Sequence, residues 1–210
     1  MRTTRTLIRR ACLAAVAVSA ALTLTACGGD SEAGDSSAPS PSVSAGTSAG
    51  SSAGAHNAQD VAFAQGMIPH HRQAVEMAGL ADGRASSPEV KDLAARIEKA
   101  QGPEITTMIG WLKTWGEQVP EAMPGMDHSA HSGMAGMMDG ADMEELGKAS
   151  GKDFDSMFLT MMVEHHEGAV EMATTEKAKG EHPAAKAMSG DIITAQNAEI
   201  SEMKKLLGED

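Results

Sequence analysis

The chain has no tyrosine, and only three phenylalanines and two tryptophans among its 210 residues. Any core must therefore be filled by aliphatic side chains and by methionine, of which there are 16. Methionine is a soft but ordinary core filler. Cysteine is equally scarce: Cys12 and Cys27 are the two, both near the N-terminus. The rest of the chain can form no disulfide staple and can offer no thiolate to a metal. Basic residues are also short, 17 against 29 acidic ones, for a net charge of −12. That balance argues against a nucleic-acid binder and against a protein drawn to anionic lipid, since both need basic patches. No nucleophile motif, catalytic triad or phosphate-binding glycine loop is present, and no stretch alternates as a strand would.

What is present begins with an export signal. Arg2, Arg5, Arg9 and Arg10 form a basic start, followed by an uncharged apolar run from Ala11 to Leu24. The run is too short to span a bilayer comfortably and reads as a secretory signal. It ends in Leu24-Thr25-Ala26-Cys27, which resembles the bacterial lipobox. That resemblance implies cleavage after residue 26, a lipid on Cys27, and a protein held on the outer face of the cell membrane. Losing residues 1–26 removes four of the 17 basic residues and none of the 29 acids, so the remainder carries −16. Residues 27–56 are rich in Ser, Gly and Ala and lack apolar periodicity, the composition of a flexible tether.

The rest, residues 57–209, is dominated by a repeat. Met67-Ile68-Pro69-His70-His71-Arg72-Gln73-Ala74-Val75-Glu76-Met77-Ala78 returns as Met162-Val163-Glu164-His165-His166-Glu167-Gly168-Ala169-Val170-Glu171-Met172-Ala173, 95 positions later and without a gap. The same offset pairs Asp60 with Asp155, Phe63 with Phe158, Pro88 with Pro183, Gln101 with Gln196, Glu104 with Glu199 and Leu112 with Leu207. Repeats of this size mark one structural unit used twice.

Within each copy, apolar residues recur at alternating spacings of four and three. Phe63, Met67, His70, Ala74 and Met77 make one seam; Phe158, Met162, His165, Ala169 and Met172 make the other. The pattern predicts a first helix from Asn57 or Asp60 to about Leu80, kinked but not ended by Pro69. A turn follows over 81–87. The second helix starts at Pro88 with Ser87 as its N-cap, with another kink at Gly102-Pro103. A third helix is expected over 152–178 and a fourth over 183–207. Each copy is a helical hairpin, too small to be stable alone. Two of them make an all-α, antiparallel four-helix bundle. Between the hairpins, residues 116–150 form a long loop whose glycine, proline and serine break any helix near its middle.

The candidate ligands follow from the repeat. His70, His71, His165 and His166, with Met67, Met77, Met162 and Met172, bring up to four imidazoles and four thioethers towards one axis. Buried imidazoles need a partner, and a metal supplies one. Gln101, Glu104, Gln196 and Glu199 lie where they can take the far ring N–H of each histidine. The loop adds Met123, Met126, His128, His131, Met134, Met137 and Met138, a mixture that low-complexity sequence alone does not produce. Thioether with imidazole selects copper(I), or silver(I) in its place. Met126-Asp127-His128-Ser129 looks like segments of bacterial periplasmic copper-resistance proteins. A di-iron oxidase is disfavoured, because neither histidine pair has Glu three residues before it. Two other readings stay open: a metal-dependent redox enzyme, and a structural lipoprotein whose histidines are core residues.

The paired motifs Phe63-x3-Met67-Ile68-Pro69-His70-His71-x2-Ala74-x2-Met77-Ala78 and Phe158-x3-Met162-x2-His165-His166-x2-Ala169-x2-Met172-Ala173 resemble the domain of unknown function numbered 305. The resemblance covers about residues 57–207. It implies a ferritin-like helical bundle in exported bacterial proteins, some of them copper-binding, and points to His70, His71, His165, His166 and their Met neighbours. The expectation is a metal-binding lipoprotein rather than an enzyme. Its partners would be a metal ion, the membrane through the lipid, and a protein that donates or accepts copper.

Overall fold

The computed structural model describes residues 54–121 and 134–209. The signal, most of the tether, Cys27, and Met123, Met126, His128 and His131 lie outside them. The regular elements among the described residues are five helices: α1 (Ala58–Arg84), α2 (Pro88–Trp115), α3 (Gly140–Lys148), α4 (Gly151–Lys179) and α5 (Pro183–Leu207). Among them no helix is long and apolar enough to cross a membrane.

Helix boundaries follow local chemistry and repeat at the same offset. Asn57 and Asp60 form a capping box at the start of α1. Ser87 caps α2, and both α2 and α5 open on a proline whose missing N–H costs nothing there. α1 runs four residues past Leu80, and it continues through Pro69 as α2 does through Pro103. α1 ends at Arg84 and α4 at Lys179, 95 positions apart. α1 packs on α2, α4 packs on α5, and α1 packs on α4. The predicted helix over 152–178 is thus α4, and that over 183–207 is α5.

The expected loop over 116–150 is where the structure departs from the sequence reading. Its C-terminal part is ordered. Asp139 caps α3 through a capping box, and Leu146 is fully buried on the neighbouring helices. A helix this short is marginal by itself. The buried leucine and the cap supply what its propensity does not. Ahead of it, residues 134–138 lie over α1 and α4.

The repeat also explains how the hairpins are locked together. The Asp60 carboxylate accepts from the backbone N–H groups of Glu181 and His182, at the start of α5. Asp155 accepts from Ser86 and Ser87 N–H, both at 3.0 Å, and from the Ser86 hydroxyl, at the start of α2. Each hairpin thus caps the second helix of the other. An anion at a helix N-terminus is favoured by both hydrogen bonding and the helix dipole. Asp155→Ala is expected to cost about 1–2 kcal/mol, because it removes a charged acceptor from two partly buried N–H donors at the start of α2. Urea unfolding would measure it, and a loss under about 1 kcal/mol would contradict this account of the lock.

At the Asp60 end of the domain, His56 stacks on Trp115 with ring centroids 4.5 Å apart, and His182 meets Trp111 and Trp115 edge-on. The last residues before α1 are seated by this aromatic cluster.

Candidate metal centre

The seam positions of α1 and α4 face each other and bring their histidines together. His70, His71, His165 and His166 are all fully buried. The rings of His70 and His165 lie with centroids 3.8 Å apart, tilted by 41°. Their neighbours on the helices, one residue on and so rotated by about 100°, turn outwards to the second helix of each hairpin. His71 Nε2 pairs with Glu104 Oε2 at 2.7 Å, and His166 Nε2 pairs with Glu199 Oε2 at 2.7 Å. The two glutamates are 95 positions apart, so the arrangement is the repeat written in side chains.

Among the described residues, no three His, Cys, Asp or Glu side chains form a metal-holding group. The inner pair is His70 and His165. His71 and His166 are engaged by carboxylates that fix their orientation. With the carboxylate on Nε2, Nδ1 is the ring nitrogen left to face a metal.

The unmet hydrogen-bonding capacity is concentrated here. Nδ1 of His70, His71 and His166 and both ring nitrogens of His165 are buried without a hydrogen-bond partner, as are Gln101 Oε1 and Gln196 Oε1. Buried polar atoms are seldom left this way. Burial, with a lesser effect of neighbouring imidazoles, pushes His70 down to about 3 and His165 well below the ordinary histidine range. Both rings are therefore neutral at physiological pH and carry lone pairs. The buried, neutral His70–His165 pair, with three ring nitrogens lacking a partner, fits a cation that coordinates nitrogen.

The predicted thioethers divide between two clusters. Met67 is fully buried with Phe63, Ile68, Met108 and Ala169. Met77 and Met162 are fully buried in the other cluster, joined by Met138. Met172 and Met134 are partly exposed. Each places its sulfur 3.7 Å from the point where a Cβ on Gly66 would stand. Met137 is also partly exposed and closes a turn onto Met134, its N–H donating to the Met134 carbonyl at 3.2 Å.

Sequence reasoning missed how residues 134–138 close the site. The Ala135 carbonyl lies 3.3 Å from His70 Nε2. Gln73 grips Met138 twice: its Nε2 donates to the Met138 carbonyl at 2.9 Å, and its Oε1 accepts from the Met138 N–H at 2.8 Å. On the other side, Gly168 leaves room for the chain, since a Cβ there would stand 2.0 Å from the Ala135 carbonyl oxygen. Gly136 takes φ +77° and packs against the carbonyls of Glu164 and His165. Gln73 and Gly168 occupy the same position of the repeat. The signal was available as a mismatch between the copies, clamp in one and clearance in the other.

Several solved structures resemble this chain. A DUF305 protein of Streptomyces coelicolor, inferred to be secreted, shares 35% identity with a TM-score of 0.64, covering 72% of this chain and 93% of that one. CopM in its Cu(II)-bound form shares 38% identity with a TM-score of 0.62, covering 71% and 95%. CopM in its Cu(I)-bound form shares 34% identity with a TM-score of 0.59, covering 70% and 94%. Silver-bound forms of CopM match as well. No curated protein matches the chain. The family model described as "Domain of unknown function (DUF305)" matches residues 60–207, essentially the whole helical part. With relatives above 30% identity over most of both chains, the protein belongs to the DUF305 family.

Proposed function

We propose that this protein is an exported, lipid-anchored copper-binding protein that buffers copper(I) or hands it on. Its two hairpins make an antiparallel four-helix bundle of the ferritin-like kind, and the metal centre lies between α1 and α4. The observation that carries the reading is the His70–His165 pair: two neutral rings in contact, fully buried, with three ring nitrogens lacking any partner. A purely structural core would place apolar groups there, because unpaired buried polar atoms are destabilising. A bound soft cation removes that penalty.

The choice of copper(I) rests on the ligand set. Imidazole and thioether are soft to borderline donors, and the protein offers them no thiolate beyond the N-terminal pair of cysteines. The carboxylates nearest the site, Glu104 and Glu199, are already bound to His71 and His166. That arrangement supports binding over oxidase chemistry, which needs carboxylates on the metal. CopM, a family relative, binds copper and silver, which supports the same class of cargo here. The signal and lipobox-like segment support export and a membrane anchor, in keeping with a relative inferred to be secreted. The Met- and His-rich residues 123–138 and the acidic surface would gather ions outside the cell. A copper donor or acceptor protein would be the natural partner.

The test is a copper(I) competition titration against a chromophoric chelator. The protein would be compared with a variant in which all four doublet histidines are Gln, and with one in which Met123, Met126, His128 and His131 are Ser. The expected result is that the histidine variant loses the tightest site and the loop variant keeps it. If the loop variant alone loses copper, the doublets are structural. If the unaltered protein does not compete, copper binding is wrong and the structural lipoprotein stands in its place.

A further inference from the structure

The imidazole pair is shut off from solvent, and the cavity beside it suggests how a cation reaches it. This cavity, of about 240 Å³, is lined by Phe63, Met134, Ala135, Glu171 and Met172, among others. Ala135, itself exposed, lines this cavity and turns its carbonyl to His70 Nε2 at 3.3 Å. One residue thus touches both the cavity and the imidazole pair.

At the cavity, two thioethers from different parts of the chain meet. Met172 comes from α4 and Met134 from the segment laid over the helices. Both sulfurs stand at van der Waals distance from the space above Gly66. In the second copy of the repeat the position of Gly66 is Met161, so the first copy leaves a gap where the second has a side chain. Both methionines are partly exposed, and Glu171 adds an exposed carboxylate at the rim. Soft sulfur donors beside an anion, open to solvent, suit a soft monovalent cation.

We propose that Met134 and Met172 form an outer site for copper(I) or silver(I), from which the ion passes to His70 and His165 when the Ala135 carbonyl leaves His70. The inference rests on the imidazole pair being the inner centre. The contact that must break is local. Met134 to Met137 is a single turn, closed by one hydrogen bond of 3.2 Å, with Gly136 at φ +77° as its third residue. Glycine there tolerates the backbone change that opening requires. The two bonds from Gln73 to Met138 anchor the far side of the turn, so the segment can swing without being lost.

The experiment is silver(I) titration of the protein with ¹³C-labelled methionine methyl groups, followed by NMR. A stopped-flow measurement of copper(I) transfer from a chelator runs beside it. The methyl signals of Met134 and Met172 should move together and ahead of the histidine ring signals. Met172→Leu should move the Met134 shift to at least about tenfold higher silver(I) and slow loading of the imidazoles by a similar factor, since capture by two donors becomes capture by one. The final amount of metal at the imidazoles should be unchanged. Silent Met134 and Met172 methyls, or a Met172→Leu variant that loads at the normal rate, would overturn the proposal. A His70→Gln, His165→Gln double variant separates the two readings, because the methyl shifts should persist in it. Methyl shifts without any response of the imidazoles in the unaltered protein would refute the inner centre and the transfer. Imidazoles that load while the methyls stay silent would refute the outer site alone.

Discussion

Replacing His165 by Gln is expected to weaken copper(I) binding by more than about 100-fold, beyond the ~10–100-fold typical of losing an outer partner of a metal ligand. His165 is singled out by its surroundings. It is the one doublet histidine with both ring nitrogens unpartnered, its ring is fully buried, and it lies against His70. Glu199→Gln should have the smaller effect. It removes the 2.7 Å partner of His166 and leaves the ring in place with a weaker acceptor. The order of effects, His165 first and Glu199 second, is the signature of a centre on the inner pair. Chelator competition measures both variants, and circular dichroism melts of the metal-free proteins confirm that each is folded. A folded His165→Gln protein that binds copper(I) as tightly as the unaltered chain would refute the inner pair as the centre.

Much of this was legible before any coordinates, for a physical reason. A gapless repeat applies the same pattern twice. Phe63, Met67, His70, Ala74 and Met77 could therefore be checked against Phe158, Met162, His165, Ala169 and Met172. Helix ends were readable because Ser87, Pro88 and Pro183 are local signals. The contacts of Glu104 and Glu199 with the histidines were anticipated for the same reason, but Gln101 and Gln196, expected to share that part, leave their Oε1 atoms without a partner.

What was not legible is non-local or breaks the repeat. Residues 134–138 carry no periodicity, and their place over the histidines depends on Gln73 from α1 and clearance at Gly168 from α4. α3 was hidden by its glycine-rich neighbourhood, since nine residues give weak periodicity and burial of Leu146 is a tertiary matter. The division of the four imidazoles was half legible: His70 and His165 fall in the seams, and His71 and His166 lie one residue, about 100°, off them. That the off-seam rings are also fully buried, each against a carboxylate, depends on the neighbouring helix. Asp60 and Asp155 were visible as a matched pair, but the reciprocal capping they perform needed the hairpins to be seen together.

The repeat also fails at Glu176, whose counterpart is Ala81, and here a second large effect is expected. Glu176 is fully buried against Asp60. The nearest oxygens of both carboxyls lie within 2.8 Å of the point where a Cβ on Gly180 would stand. Burial, then the hydrogen bond and negative charge of Asp60, raise Glu176 to about 8. Asp60 goes the other way. Burial pushes it up, but hydrogen bonds from Asn57, Glu176 and the N–H groups of His182 and Glu181 outweigh this and hold it below the ordinary value. At neutral pH Glu176 is therefore the protonated partner and Asp60 the carboxylate that caps α5. The sign follows from proton counting. Between about pH 4.5 and 8 the folded protein holds a proton on Glu176 that the unfolded chain has released, so this group's stabilisation is complete below that window and declines as pH rises through it. From pH 6.5 to 8 the decline should amount to about 1–2 kcal/mol, at up to about 1.4 kcal/mol for each pH unit. Glu176→Gln keeps the shape and a neutral group beside Asp60, so it should lose this slope. The readout is the difference in urea stability between the two proteins at pH 5, 6.5 and 8, in which the titration of the histidines cancels. A difference that moves in favour of the Gln variant by at least about 1 kcal/mol from pH 6.5 to 8 supports the shared proton. A constant difference means that Glu176 is ionised in the folded protein, and that Lys186, which donates to the Gly180 carbonyl nearby, compensates its charge.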